Sequence, residues 1–181
     1  TSSAASDVYK RQPADAPEGW CSEWHSRYGA WLQSLSAAID QGVLLVIDYA
    51  LEAERYYSAR RSEGTLMAYG GGAAGLDPLA APGGQDLTSH VCIESLNAAA
   101  ASQGWQLLDQ RRQGEMVLAL GLAERLHDLQ QLPPQQLPEA LQRREALLRL
   151  VDPAGLGEFR WLLYGRGAGT SSLSLRAAPD I

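Results

Sequence analysis

Gly42-Val43-Leu44-Leu45-Val46-Ile47-Asp48-Tyr49 sets five consecutive aliphatic residues ahead of an acid and an aromatic. No polar residue alternates with them. Such a run predicts a strand buried on both faces, as in the middle of a parallel sheet. Ligands of open α/β sheets sit at the carboxyl ends of strands, so Asp48 and Tyr49 are the first candidates for chemistry.

Upstream, Trp24, Tyr28, Trp31, Leu32, Leu35 and Ile39 recur at helical period, which predicts a helix from about Ser22 to a stop at Gly42. Helix followed at once by strand is a parallel α/β unit. Downstream, Leu51 to Gly64 reads as a helical turn or a surface loop. Thr65 to Tyr69 is a short strand, and Gly70 to Gly75 a flexible loop rather than a phosphate cradle. A small-residue helix runs through Ile93 and Leu96 to Gly104, and Trp105 to Leu108 is a strand. One helix is expected from Gln113, with Leu118, Leu122, Leu126 and Leu129 on a shared face. A second runs from about Pro138 to Val151, before a last strand from Phe159 to Tyr164.

The chain has 181 residues, 45% of them hydrophobic, enough for a packed core. A net charge of −6 and the lack of any basic block argue against nucleic acid as partner. No apolar run reaches membrane-spanning length, about 18 residues. Two cysteines, Cys21 and Cys92, make no disulfide framework, and a cytoplasmic setting is the simplest. Asp7 to Gln12 resembles the in-frame translation of a transposon adapter, and Lys10 is the only lysine in the chain. Residues 1–12 are therefore set aside as a sequencing scar, with natural sequence expected upstream of residue 13. Residues 13–19 read as loop, 20–165 as one domain portion, and 166–181 as a flexible Gly/Ser/Ala-rich tail.

Asp86, Thr88 and His90 alternate in an extended stretch, which would aim all three the same way and build a polar wall. Taken singly, Asp86 and Thr88 also suit simple turns, and Asp48 a cap. His25 and His127 read as surface. No H-E-x-x-H, C-x-x-C or G-x-S-x-G motif is present, so neither a metal nor a serine nucleophile is indicated.

Several stretches in combination resemble one family. They are Gly42 to Tyr49, Arg61-Ser62-Glu63-Gly64-Thr65-Leu66, and Pro82-Gly83-Gly84-Gln85-Asp86-Leu87-Thr88-Ser89-His90-Val91. Gln113 before an apolar helix and Leu150-Val151-Asp152-Pro153 follow in the same order. Together they resemble the C-terminal half of MidA-type methyltransferases, the S-adenosylmethionine-dependent family that includes the mitochondrial complex I assembly factor acting on a protein arginine.

The resemblance implies a Rossmann-like class I methyltransferase fold (α/β), here its C-terminal portion only, with the cofactor-binding half upstream. It implies S-adenosylmethionine as cofactor and a protein substrate, for instance a respiratory-complex-type subunit. Asp48 and Asp86 would be the acids that hold a planar guanidinium and accept its proton. Tyr49, Thr88 and His90 would orient it. The chain departs from the family at Ala50, where glycine is usual, at Gly70 to Gly75, and at Cys92, where an acid is usual. An acid there would cap a helix, worth about 1 kcal/mol. The departures at Ala50 and at Gly70 to Gly75 motivate the alternative, a non-catalytic assembly module on a methyltransferase-like fold.

Overall fold

A computed structural model of the chain describes residues 13–75 and 77–175. The supposed scar at residues 1–12 and the end of the tail, residues 176–181, lie outside the described residues. In chain order the elements are α1 (Tyr28–Ala38), β1 (Gly42–Asp48), β2 (Ala50–Leu51), α2 (Ala53–Tyr56), β3 (Met67–Gly70), β4 (Ala73–Ala74), β5 (Asp86–Thr88) and β6 (Val91–Cys92). Then come α3 (Ile93–Ser102), β7 (Gln106–Arg112), α4 (Gln113–Ala119), α5 (Leu122–Gln130), α6 (Leu137–Val151) and β8 (Arg160–Arg166). The fold is mixed α/β. It divides into two units, Thr1–Ser34 with Tyr49–Gln103, and Leu35–Asp48 with Gly104–Ile181.

The second unit is built on a three-stranded sheet in the order β1-β8-β7, antiparallel throughout. The run at 43–47 is thus a strand, but it is neither parallel nor covered on both faces. Its burial alternates, leaving Val43, Leu45 and Ile47 exposed at 47%, 41% and 42%. An unbroken aliphatic run does not say which face is covered; only the partners do. Among the described residues, nothing pairs with the far edge of β1.

Trp105 is fully buried beside β7, and its indole N–H donates to Ser36 Oγ at 2.9 Å. The helix expected from Gln113 forms as two, because Gly121 takes a left-handed backbone (φ 90°) and turns the chain between α4 and α5. Leu122 is buried on α5, whereas Leu118 is left 61% exposed on α4. The buried Gln113 amide donates to the carbonyls of Leu150 (3.2 Å) and Leu156 (2.9 Å), satisfying acceptors at and beyond the end of α6. Leu175 N–H donates to Asp109 at 2.9 Å, so the segment after β8 is tied back onto β7.

In the first unit, β3 pairs antiparallel with both β4 and β5. The glycine run makes the β3–β4 turn: Gly71 (φ 59°) and Gly72 (φ 82°) are both left-handed, as a two-residue type I′ hairpin requires. The short parallel pair β2–β6 lies near a small core of Leu51, Tyr56, Tyr57 and Cys92. α3 turns Ile93, Leu96 and Ala100 inward at i, i+3 and i+7. α1 begins at Tyr28, six residues later than its apolar period suggests. Ahead of it, Glu23 and His25 bond to residues far along the chain instead.

Candidate functional site

β5 alternates, so Asp86 and Thr88 face one side. Directly across the β3–β5 ladder, Tyr69 pairs with Asp86 and Met67 with Thr88. Tyr49 enters from the residue before β2, fixed by Val91 N–H donating to its carbonyl at 2.7 Å. Tyr49, Tyr69, Asp86 and Thr88 together line an open cleft of about 360 Å³. The His90 ring lies 5.9 Å from that of Tyr49, tilted by 53°. A carboxylate and two phenol rings that line one cleft suit a cation, which gains from the charge and from the ring faces.

Four of the five residues singled out in the sequence therefore gather in one place: Tyr49, Asp86 and Thr88 in the cleft lining, with His90 against Tyr49. Asp48 does not join that lining. It ends β1, in the other unit, in register with Arg160 of β8. Tyr69 carried no signal in the sequence beyond its β-propensity.

His90 also belongs to a polar network that sequence reasoning missed. The Glu23 carboxylate accepts from Thr65 N–H (2.8 and 2.9 Å), Thr65 Oγ1 (3.0 Å), Leu66 N–H (2.7 Å) and the Tyr56 hydroxyl (3.2 Å). Thr65 Oγ1, its proton given to Glu23, accepts from His90 N–H at 3.0 Å. His25 Nε2 lies 3.0 Å from the His90 carbonyl and 3.1 Å from the Tyr56 hydroxyl. A carbonyl only accepts, so the network assigns a proton to His25 Nε2. His25 is thus half-buried and bonded, not the solvated helical residue its neighbours imply.

Burial pushes the Glu23 carboxyl up, but the N–H groups of Thr65 and Leu66 outweigh it and hold the group below the ordinary carboxylate range. Burial raises the Tyr56 phenol far above its usual value, and the Glu23 charge adds to the rise, which keeps Tyr56 a donor. Gly64 makes the clamp possible: it is left-handed (φ 78°), and a Cβ there would stand 2.8 Å from the Glu23 carboxyl carbon.

The departures from the family pattern are accommodated. Ala50 is buried in β2, and no non-glycine residue among those described has a positive φ. A glycine is not needed there. Cys92 is the N-cap of α3, fully buried, with no side-chain capping bond. Among the described residues, no group of three or more His, Cys, Asp or Glu could hold a metal, and no helix is long and apolar enough to cross a membrane. Nor does any glycine turn there join a strand to a helix N-terminus, the arrangement that cradles a nucleotide. The described residues do not fit a complete cofactor site.

Comparison with known proteins gives the chemical class. Residues 1–110 match the family described as "Putative S-adenosyl-L-methionine-dependent methyltransferase". A solved structure from Burkholderia thailandensis, described as a "likely methyl transferase" bound to S-adenosyl-homocysteine, is 28% identical with a TM-score of 0.77. The match covers 89% of this chain and 41% of that one. An uncharacterized protein of the same superfamily and organism, in a native crystal structure, gives 28% identity and a TM-score of 0.77, over 91% of this chain and 43% of its own. The chain spans about two fifths of the length of these structures. No curated protein matches it.

Proposed function

We infer that this chain, which belongs to that family of S-adenosyl-L-methionine-dependent methyltransferases, is the acceptor-side portion of a longer enzyme that methylates a protein arginine. The family's cofactor is S-adenosylmethionine, and one solved relative holds its demethylated product. The cofactor supplies the methyl group. The described residues would hold the acceptor.

The observation that carries this reading is the cleft. Asp86 stands in it as an acceptor for guanidinium N–H groups, with Tyr49 and Tyr69 as aromatic walls and Thr88 as a further polar contact. Asp86 would also take the proton that the acceptor nitrogen loses on methylation. His90 orients Tyr49. The family resemblance alone would make Asp48, at the end of β1, a second acid.

A class I fold in which this chain supplies the fifth and last two strands is supported by the open edge of β1 and its three exposed aliphatic side chains. An antiparallel sheet that ends on such a strand leaves main-chain groups to pair with a further strand. The cofactor cradle, on this reading, lies in polypeptide outside the chain, in keeping with its share of the relatives' length. A respiratory-complex-type substrate rests on the family resemblance alone, and a cytoplasmic location on the two cysteines that make no disulfide framework.

The test is to incubate the full-length gene product with S-adenosylmethionine labelled on its methyl carbon and extract from the host proteome. Methylarginine in the hydrolysate is the expected product. Label appearing only in another amino acid or in small molecules contradicts the arginine assignment.

A further inference from the structure

We propose that Glu23 is the positioning residue of the acceptor cleft, acting through Thr65 and His90. This rests on the reading of that cleft as the cation-binding site. The ribbon that carries Tyr69, Asp86 and Thr88 is short: three register pairs join β3 to β5, and two join β3 to β4. Ribbons of that length do not hold their geometry alone. Something must fix the start of β3 against the end of β5.

Glu23 does so from outside the ribbon. Its carboxylate grips the backbone of Thr65 and Leu66, the two residues that lead into β3. Through Thr65 Oγ1 the same grip reaches His90 N–H, two residues beyond β5. His25 closes the other side by holding the His90 carbonyl. Both main-chain polar groups of His90 are thereby engaged, and its ring is presented to Tyr49. No bond of Glu23 goes to a cleft-lining side chain, so its effect on the cleft is indirect.

A carboxylate is required. Charged acceptors make hydrogen bonds roughly twice as strong as neutral ones. An amide in its place would turn an NH₂ group toward Thr65 or Leu66 N–H, donor against donor. Thr65→Ser keeps the hydroxyl relay, and Thr65→Val keeps the shape but removes it.

The test uses the chain, its Glu23→Gln, Thr65→Ser and Thr65→Val variants, and methylguanidinium as probe. Amide resonances of Tyr69 and Asp86 report probe binding; a nuclear Overhauser effect between the His90 and Tyr49 rings reports cleft geometry without ligand. Binding is expected to weaken about tenfold or more in Glu23→Gln and Thr65→Val and to stay near wild type in Thr65→Ser. The Overhauser effect between the two rings should vanish in Glu23→Gln and Thr65→Val and persist in Thr65→Ser. Probe binding and ring proximity unchanged in folded Glu23→Gln would overturn the proposal. If methylguanidinium fails to bind even the wild type, the cation reading of the cleft falls. Ring proximity then decides: its disappearance in Glu23→Gln supports positioning by Glu23, and its survival overturns it.

Discussion

The carboxylate of Glu23 and the backbone of Thr65, 42 residues apart in sequence, meet through a two-oxygen contact with N–H···O distances of 2.8 and 2.9 Å. Around this contact the first unit assembles its cleft, and several consequences can be measured.

Gly64 has to remain glycine. Alanine there would keep a left-handed backbone and drive its Cβ into the Glu23 carboxylate. Gly64→Ala is expected to lower unfolding free energy by about 2 kcal/mol or more in urea titration. Glu23→Ala removes the obstruction, so the double variant should cost measurably less than the sum of the two single ones. Strict additivity would mean that the two residues do not meet.

Acid should release the clamp. Because Glu23 is more acidic folded than unfolded, the unfolded chain takes up its proton first as pH falls. Its contribution is therefore complete above the unfolded value, about 4.3, and is lost as pH drops through the lower folded value. Asp109, held low by the N–H groups of Gln110 and Leu175 and by Arg111 against the opposing effect of burial, acts in the same direction. Stability followed from pH 7 to pH 2 should fall less steeply below about pH 4.3 in Glu23→Gln than in wild type. Parallel curves would show that Glu23 carries no such linkage.

Much of the fold was legible where one signal settled one element. β1, α6 and β8 follow from apolar runs and helical period, and the shared side of Asp86 and Thr88 from simple alternation, whereas His90 lies two residues beyond β5. The failures have physical causes. The period beginning at Trp24 invited a helix from Ser22, but Glu23 and His25 bond to residues more than 30 positions away, and those bonds outweigh local propensity. The aliphatic run at 43–47 marked a strand without revealing which faces are covered. Glycines 71 and 72 were a hairpin turn, which needs β3 and β4 on either side to be recognised. Glu23 left no local trace, since its partners are chiefly backbone N–H groups.

Leu45 separates the chain from the longer protein. Here it is exposed on an open-edged strand, so Leu45→Lys should reduce self-association in sedimentation experiments at little cost in stability. In the full-length gene product, where that face is expected to be covered, the same change should destabilise by more than about 2 kcal/mol. Equal effects in both would argue that β1 is a free edge in the whole molecule.

Gln113 ties α4 to the end of α6. Gln113→Leu strands the Leu150 and Leu156 carbonyls, at an expected cost of about 1–3 kcal/mol in thermal or urea unfolding. A neutral outcome would show that solvent replaces the amide.

The most direct measurement is the rate at which full-length enzyme moves a labelled methyl group from S-adenosylmethionine to an arginine-bearing protein, with Asp86 intact and with Asp86→Ala. Asp86 is exposed, so its removal should leave the fold standing. The rate is expected to be lower by about a hundredfold or more in the variant, as befits removal of a group that both binds the acceptor and takes its proton. A folded Asp86→Ala enzyme that transfers methyl groups at the wild-type rate would contradict the assignment of the cleft.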